Sequence, residues 1–139
     1  MTGFVIDASL AIAWCFDDEA TEATRALLDR FEDNHAEVPA LWHLELANAL
    51  AVGERNKRII RARSSEFIAL IGGLPIVIDE HTPSLALGTV LDLARREGLS
   101  AYDASYLELA MRRGLPLATK DNGLARAARR VGVQLLSTE

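Results

Sequence analysis

The sequence predicts an α/β fold: a single parallel sheet of about five strands, flanked by helices on both faces. Three observations carry this. Short apolar runs rich in β-branched residues alternate along the chain with longer stretches of helical spacing. Strands that alternate with helices pair in parallel, because each crossover returns the chain to the same edge. The size fits as well. The chain has 139 residues, 50% hydrophobic and 25% charged, which suits one globular domain over residues 1–139 with one core.

The elements follow in order. Phe4-Val5-Ile6 is a short buried strand that ends at Asp7, and Ser9 is suited to cap a helix over the apolar stretch Leu10 to Phe16. Thr21 to Asn34 is amphipathic, with Ala23, Ala26, Leu27 and Phe31 at helical spacing. His35 to Pro39 is a short link with room for a brief strand. Ala40 to Glu54 is a helix that buries Trp42, Leu46, Ala49 and Leu50 and meets Gly53 near its end. A basic stretch with Arg55, Lys57, Arg58, Arg61 and Arg63 leads into a helix that stops at Gly72-Gly73. Pro75-Ile76-Val77-Ile78 is a strand closed by Asp79-Glu80. Two helices, Ser84 to Glu97 and Ser100 to Arg113, stop at Gly98 and Gly114. Leu115 to Ala118 is a strand, Asn122 to Val131 a helix and Val133 to Leu136 a last strand. There is no internal repeat, low-complexity segment or interdomain linker.

Composition excludes several classes. Met1 leads directly toward the first strand, so no secretory leader is expected, and no apolar run reaches the ~18 residues that span a membrane. The single Cys15 permits no internal disulfide; between Trp14 and Phe16 it is expected to be packed, in a cytoplasmic, reducing setting. A net charge of -5 argues against a protein that coats nucleic acid non-specifically. It leaves room for a nucleic-acid enzyme with an acidic metal site.

Four acids stand in unusual places. Asp7 follows the first strand, where open α/β sheets bind ligands, although Asp also serves in ordinary strand-to-helix turns. Glu45 has Leu41, Trp42, Asn48 and Ala49 as helical neighbours, which puts it on or beside the buried stripe; a boundary glutamate reaching solvent is the alternative. Asp103 lies among Leu99, Ala104, Tyr106 and Leu107, yet Ser100-x-x-Asp103 also reads as a capping box. Asp121 follows the Leu117-Ala118 strand through Thr119-Lys120 and could equally cap the next helix. Taken together, the parallel topology brings strand-end acids to one edge. Carboxylates without Cys or His partners suit hard cations such as Mg²⁺ or Mn²⁺. Such ions activate water and stabilise the displacement of a phosphodiester.

The segments Phe4-Val5-Ile6-Asp7-Ala8-Ser9, Glu45, Leu99-Ser100-Ala101-Tyr102-Asp103-Ala104 and Leu117-Ala118-Thr119-Lys120-Asp121 resemble, in order and spacing, the PIN-domain ribonucleases. The chain looks most like the VapC-type toxins of toxin–antitoxin pairs, over essentially its whole length. The resemblance implies a PIN-like fold and cleavage of RNA. It implies Asp7, Glu45, Asp103 and Asp121 as catalytic and metal-holding residues, with Thr119 supporting and Ser9 as the small hydroxyl residue after the first acid. It further implies a cognate VapB-like antitoxin and a homodimer. The family often has an aromatic after the last acid, where this chain has Leu124, a change of packing more than of chemistry.

Other residues complete the expectations. Lys120, Arg55, Lys57 and Arg58 are RNA-phosphate contacts in this reading, against the alternative of a solvated basic face. Trp14 and Phe16 are expected to line an exposed groove for a helical antitoxin segment. His35, His43 and His81 show no ligand spacing. Two other functions are open. One is a receiver-like phosphoacceptor domain with Asp79 on a middle strand, although Thr119 and Lys120 are adjacent where a receiver separates them. The other is a catalytically inactive interaction module.

Overall fold

The computed structural model describes residues 3–136; the predicted lead from Met1 into the first strand lies outside them. Four parallel strands form one sheet in the order β3-β2-β1-β4: β1 (Gly3–Ile6), β2 (His35–Pro39), β3 (Ile76–Asp79) and β4 (Leu117–Ala118). The helices around it are α1 (Ala8–Ala13), α2 (Glu22–Asp29), α3 (Leu41–Arg55), α4 (Arg61–Gly72), α5 (Thr82–Leu85), α6 (Leu91–Glu97), α7 (Ala101–Arg113) and α8 (Asn122–Arg130). Phe4, Val5 and Ile6 are buried on both faces of the central strand β1. Full burial of such side chains stabilises the fold by about 1.5–3 kcal/mol each.

The chain steps outward from β1 to β2 to β3, then returns to place β4 on the other side of β1. The reversal puts the switch point of the sheet at the carboxyl ends of β1 and β4, where open α/β sheets place their ligands. Asp7 and Thr119 are the residues that follow those two strands.

Several elements differ from expectation. The last predicted strand is reduced to a single bridge, Leu117 to Leu135. Leu117 N donates to Gln134 O at 2.9 Å and Leu117 O accepts from Leu136 N at 2.9 Å, but the pairing stops there. Leu115 N is already donated to Ala110 O at 3.0 Å, closing the end of α7, and Pro116 has no N–H to give. The sheet therefore has four strands rather than about five. The first long helix ends early, at Asp29, and continues as a 3₁₀ turn over Arg30–Glu32. The helix expected from Ser84 begins at Thr82, after the N-cap His81, with Thr82 N donating to Asp79 Oδ2 at 2.9 Å. It contains a π-helical turn over Ala86–Val90, a run that includes Gly88, Thr89 and Val90, all poor helix formers.

β3 is an edge strand, not a middle one. Its Val77 and Ile78 are half exposed. Asp79 at its end is engaged by Arg112, whose Nη1 and Nη2 donate at 3.2 and 2.9 Å, and by the Thr82 hydroxyl at 2.6 Å. Burial pushes the Asp79 carboxyl up, but these hydrogen bonds and the Arg112 charge outweigh it and hold the group at about 2. The middle-strand acceptor acid of a receiver is absent from this position.

Trp14 and Phe16 do not form an exposed apolar patch. They are 6% and 5% exposed and belong to the core. The chain turns at the end of α1, so that Trp14 Nε1 donates to Thr24 O at 2.6 Å and its ring meets Phe31 edge-on at 6.2 Å. Phe16 lies beneath the Arg58 guanidinium at 4.3 Å and against Gly53, where an added Cβ would come within 2.9 Å of its ring. The exposed apolar side chains are elsewhere, among them Leu44, Ile60, Ile68 and Leu87.

Candidate active site

Asp7 is held where β1 passes into α1. It is itself the N-cap, its Oδ1 accepting from Leu10 N at 3.1 Å, so the helix begins before Ser9 and not at it. Ser9 instead works inside the first turn. Its hydroxyl donates to Asp7 Oδ1 at 2.7 Å and accepts from Lys120 N at 3.0 Å. Thr119, buried after β4, donates to Asp7 Oδ2 and accepts from Asp121 N at 2.9 Å. Two hydroxyls therefore tie the β1 loop to the β4 loop through one carboxylate.

That carboxylate is only 3% exposed. Burial raises its pKa to about 6, against the hydrogen bonds from Thr119, Ser9 and Leu10, and the Asp103 charge adds to the rise. The capping reading of Asp7 is met by the structure. It is a helix cap and also a buried acid with no cationic partner among the described residues, an arrangement that clusters at functional sites.

The other three acids come from three helices. Asp121 is the exposed N-cap of α8, its Oδ2 accepting from Leu124 N at 2.7 Å. Asp103 is half buried in the first turn of α7, with Ser100 as N-cap accepting from Asp103 N at 3.0 Å. Only half of the predicted capping box forms, since the Asp103 carboxylate does not reach back to the Ser100 backbone. Its pKa is raised by burial first, then by the charges of Asp121 and Glu45. Glu45, half buried on α3, accepts a hydrogen bond from the Tyr106 hydroxyl on its Oε1. Burial and then Glu45 push the Tyr106 hydroxyl far above its usual range, so it remains a donor.

Asp103 is the hub of the set. It feels Asp121 and Glu45, and Asp7 feels it. The four acids thus share one electrostatic neighbourhood without closing on a point. Among the described residues, no three His, Cys, Asp or Glu side chains are gathered tightly enough to cage an ion as they stand.

The expected basic contacts are partly engaged. Lys120 Nζ donates to Glu19 O at 2.8 Å, and Arg58 pairs with Asp18 at 3.1 Å and Glu19 at 3.1 Å while covering Phe16. Arg55 and Lys57 are exposed and have no ion-pair partner among the described residues. By sequence Tyr106 is an apolar neighbour of Asp103, and the structure adds its hydroxyl to the acid set. Its place three residues on, one helical turn along the same face, was the available signal.

The model of the PIN domain matches residues 4–130. The chain belongs to the PIN-domain family. This PIN domain is similar to the crystal structure of PAE2754 from Pyrobaculum aerophilum, with a TM-score of 0.69 and 26% identity over 91% of this chain and 86% of that one. It shares its fold with FitAcB from Neisseria gonorrhoeae, with a TM-score of 0.59 and 21% identity over 96% of each chain. No curated protein matches the chain. No helix among the described residues of the PIN domain is long and apolar enough to cross a membrane.

Proposed function

We propose that this PIN domain is a Mg²⁺- or Mn²⁺-dependent endoribonuclease of the VapC type. In this reading it acts on RNA in the cytoplasm as a homodimer and is inhibited by a cognate VapB-like antitoxin. The observation that carries the proposal is the gathering of Asp7, Glu45 and Asp121 around Asp103, each close enough to couple to its charge, with Asp7 at the carboxyl end of β1. Membership of the PIN family supports the nuclease chemistry. The homodimer and the antitoxin rest on the resemblance of the sequence motifs.

The donor set fits a hard cation. Every polar group around the acids is a carboxylate or hydroxyl oxygen or a backbone amide, with neither Cys nor His among them. Asp7, Glu45, Asp103 and Asp121 would hold the ion. A bound divalent cation supplies Lewis-acid stabilisation of the phosphodiester and lowers the pKa of water. The protein's own groups do the positioning. Ser9 and Thr119 donate to opposite oxygens of Asp7 and fix its orientation. The Asp103 carboxylate accepts no hydrogen bond among the described residues, which leaves both of its oxygens open toward the ion. Of the four expected basic contacts, Arg55 and Lys57 are those without an ion-pair partner among the described residues, open to RNA phosphates.

The test is incubation of the purified protein with RNA in Mg²⁺, in Mn²⁺ and in EDTA, beside a parallel incubation with acetyl phosphate. Cleavage with either metal, none in EDTA and no phosphorylation is expected. Cleavage indifferent to EDTA, or stable phosphorylation of Asp7 or Asp79, would overturn the reading.

A further inference from the structure

Tyr106 is 1% exposed, and its ring is part of the core. A phenylalanine would fill that space equally well, so the hydroxyl is what needs explaining. A buried hydroxyl must find an acceptor. Here the acceptor is not a backbone carbonyl but Glu45 Oε1, a carboxylate of the acid set, on a helix 61 residues away in sequence. Asp103 and Tyr106 lie one turn apart on α7. The helix therefore brings a carboxylate and a hydroxyl donor to the same region, and the donor reaches across to α3.

Glu45 needs such a hold. It has no other hydrogen-bond donor among the described residues, its side chain has three rotatable bonds, and the Asp103 charge repels it. A half-buried glutamate under like-charge repulsion would otherwise swing toward solvent. The nearby acids differ in this respect. Asp7 and Asp121 are fixed by the backbone amides of the helices they cap. Glu45 sits mid-helix, where the backbone amides are already engaged, and only a side chain can fix it.

We propose that Tyr106 is a positioning residue of the acidic site: its hydroxyl, donated from α7, fixes the Glu45 carboxylate on α3 for a divalent cation. The inference rests on the metal-dependent reading given above. Groups that orient a ligand side chain from outside typically change metal affinity about 10–100-fold when removed.

The experiment is Mn²⁺ binding to the RNA-free protein by calorimetry, for wild type, Tyr106→Phe, Glu45→Gln and the double variant, with RNA cleavage followed against Mn²⁺ concentration. Tyr106→Phe should weaken Mn²⁺ binding about 10-fold. Its cleavage should recover most of the wild-type rate at saturating Mn²⁺, which separates positioning from chemistry. In the Glu45→Gln background the same change should add almost nothing, because the group it positions has lost its charge. A purely structural hydroxyl would lower the melting temperature in EDTA and leave the Mn²⁺ affinity unchanged. A wild type that binds Mn²⁺ and cuts RNA, beside a Tyr106→Phe protein with equal Mn²⁺ affinity, overturns the inference alone. A wild type that neither binds Mn²⁺ nor cuts RNA overturns the nuclease reading and this inference with it.

Discussion

Asp7→Asn should make the metal-free protein more stable at neutral pH. Burial raises the Asp7 pKa from 3.8 to about 6, so ionising this group in the folded state is penalised. The sign follows from that direction. A carboxyl whose folded pKa lies above its unfolded value is best tolerated when protonated. Its penalty is near zero below pH ~4, grows as pH rises through ~6 and is then constant. Two units correspond to about 3 kcal/mol. Asparagine removes the charge and keeps an oxygen for Leu10 N and the Ser9 hydroxyl, but the Thr119 hydroxyl loses its acceptor, a loss of about 1 kcal/mol. The net gain is about 2 kcal/mol at pH 7.5. For a chain of 139 residues that is roughly 7 °C in melting temperature. The two proteins should melt together near pH ~4.5, where the penalty and the lost hydrogen bond balance. The assay is thermal melting in EDTA from pH 4 to pH 8. Saturating Mg²⁺ should then raise the wild type and not the variant, since only a bound native state gains by mass action. An Asp7→Asn protein that melts below wild type across the whole range would show that Asp7 acts as a helix cap alone.

Two further substitutions probe the surroundings. Asp103→Asn should raise the melting temperature in EDTA and abolish RNA cleavage, because its raised pKa reflects burial beside Asp121 and Glu45; a lower melting temperature with surviving cleavage would show that Asp103 serves the fold and not the site. Arg112→Ala should destabilise the protein by about 3–5 kcal/mol in urea titration at pH 7, since it leaves Asp79 and Glu108, whose side chains are 7% and 6% exposed, without their cation. The Asp79 contribution is present above pH ~4 and is lost as pH falls toward about 2, so the gap between the two proteins should narrow in acid.

What could be read from the sequence was local. Phe4-Val5-Ile6 followed by Asp7, and Leu117-Ala118 followed by Asp121, announce strands that end in acids, because periodicity and capping act within a few residues. Alternation of strand and helix then brings both acids to one edge. The remaining features depend on contacts between distant segments. Ser9 looked like a cap by type, but Asp7 takes that role and the Ser9 hydroxyl turns to Asp7 and to Lys120 N, 111 residues on. Trp14 and Phe16 looked like an exposed patch, yet Thr24, Phe31, Gly53 and Arg58 cover them. Ile76-Val77-Ile78 has the composition of a central strand but lies at the sheet edge, its end held by Arg112. The sequence places Tyr106 one helical turn from Asp103, but that its hydroxyl crosses to Glu45 depends on how α3 and α7 pack.

The most direct test of the central claim is the RNA cleavage rate of Asp121→Asn at saturating Mg²⁺. Asparagine caps helices about as well as aspartate, and its side-chain oxygen can keep the bond from Leu124 N, so α8 should remain intact. The site is exposed, and the melting temperature should therefore barely change. If the four carboxylates form a metal-dependent nuclease site, the rate should fall at least about 100-fold, since a charge that stabilises the transition state has been removed. An Asp121→Asn protein that cuts RNA at the wild-type rate would contradict the account.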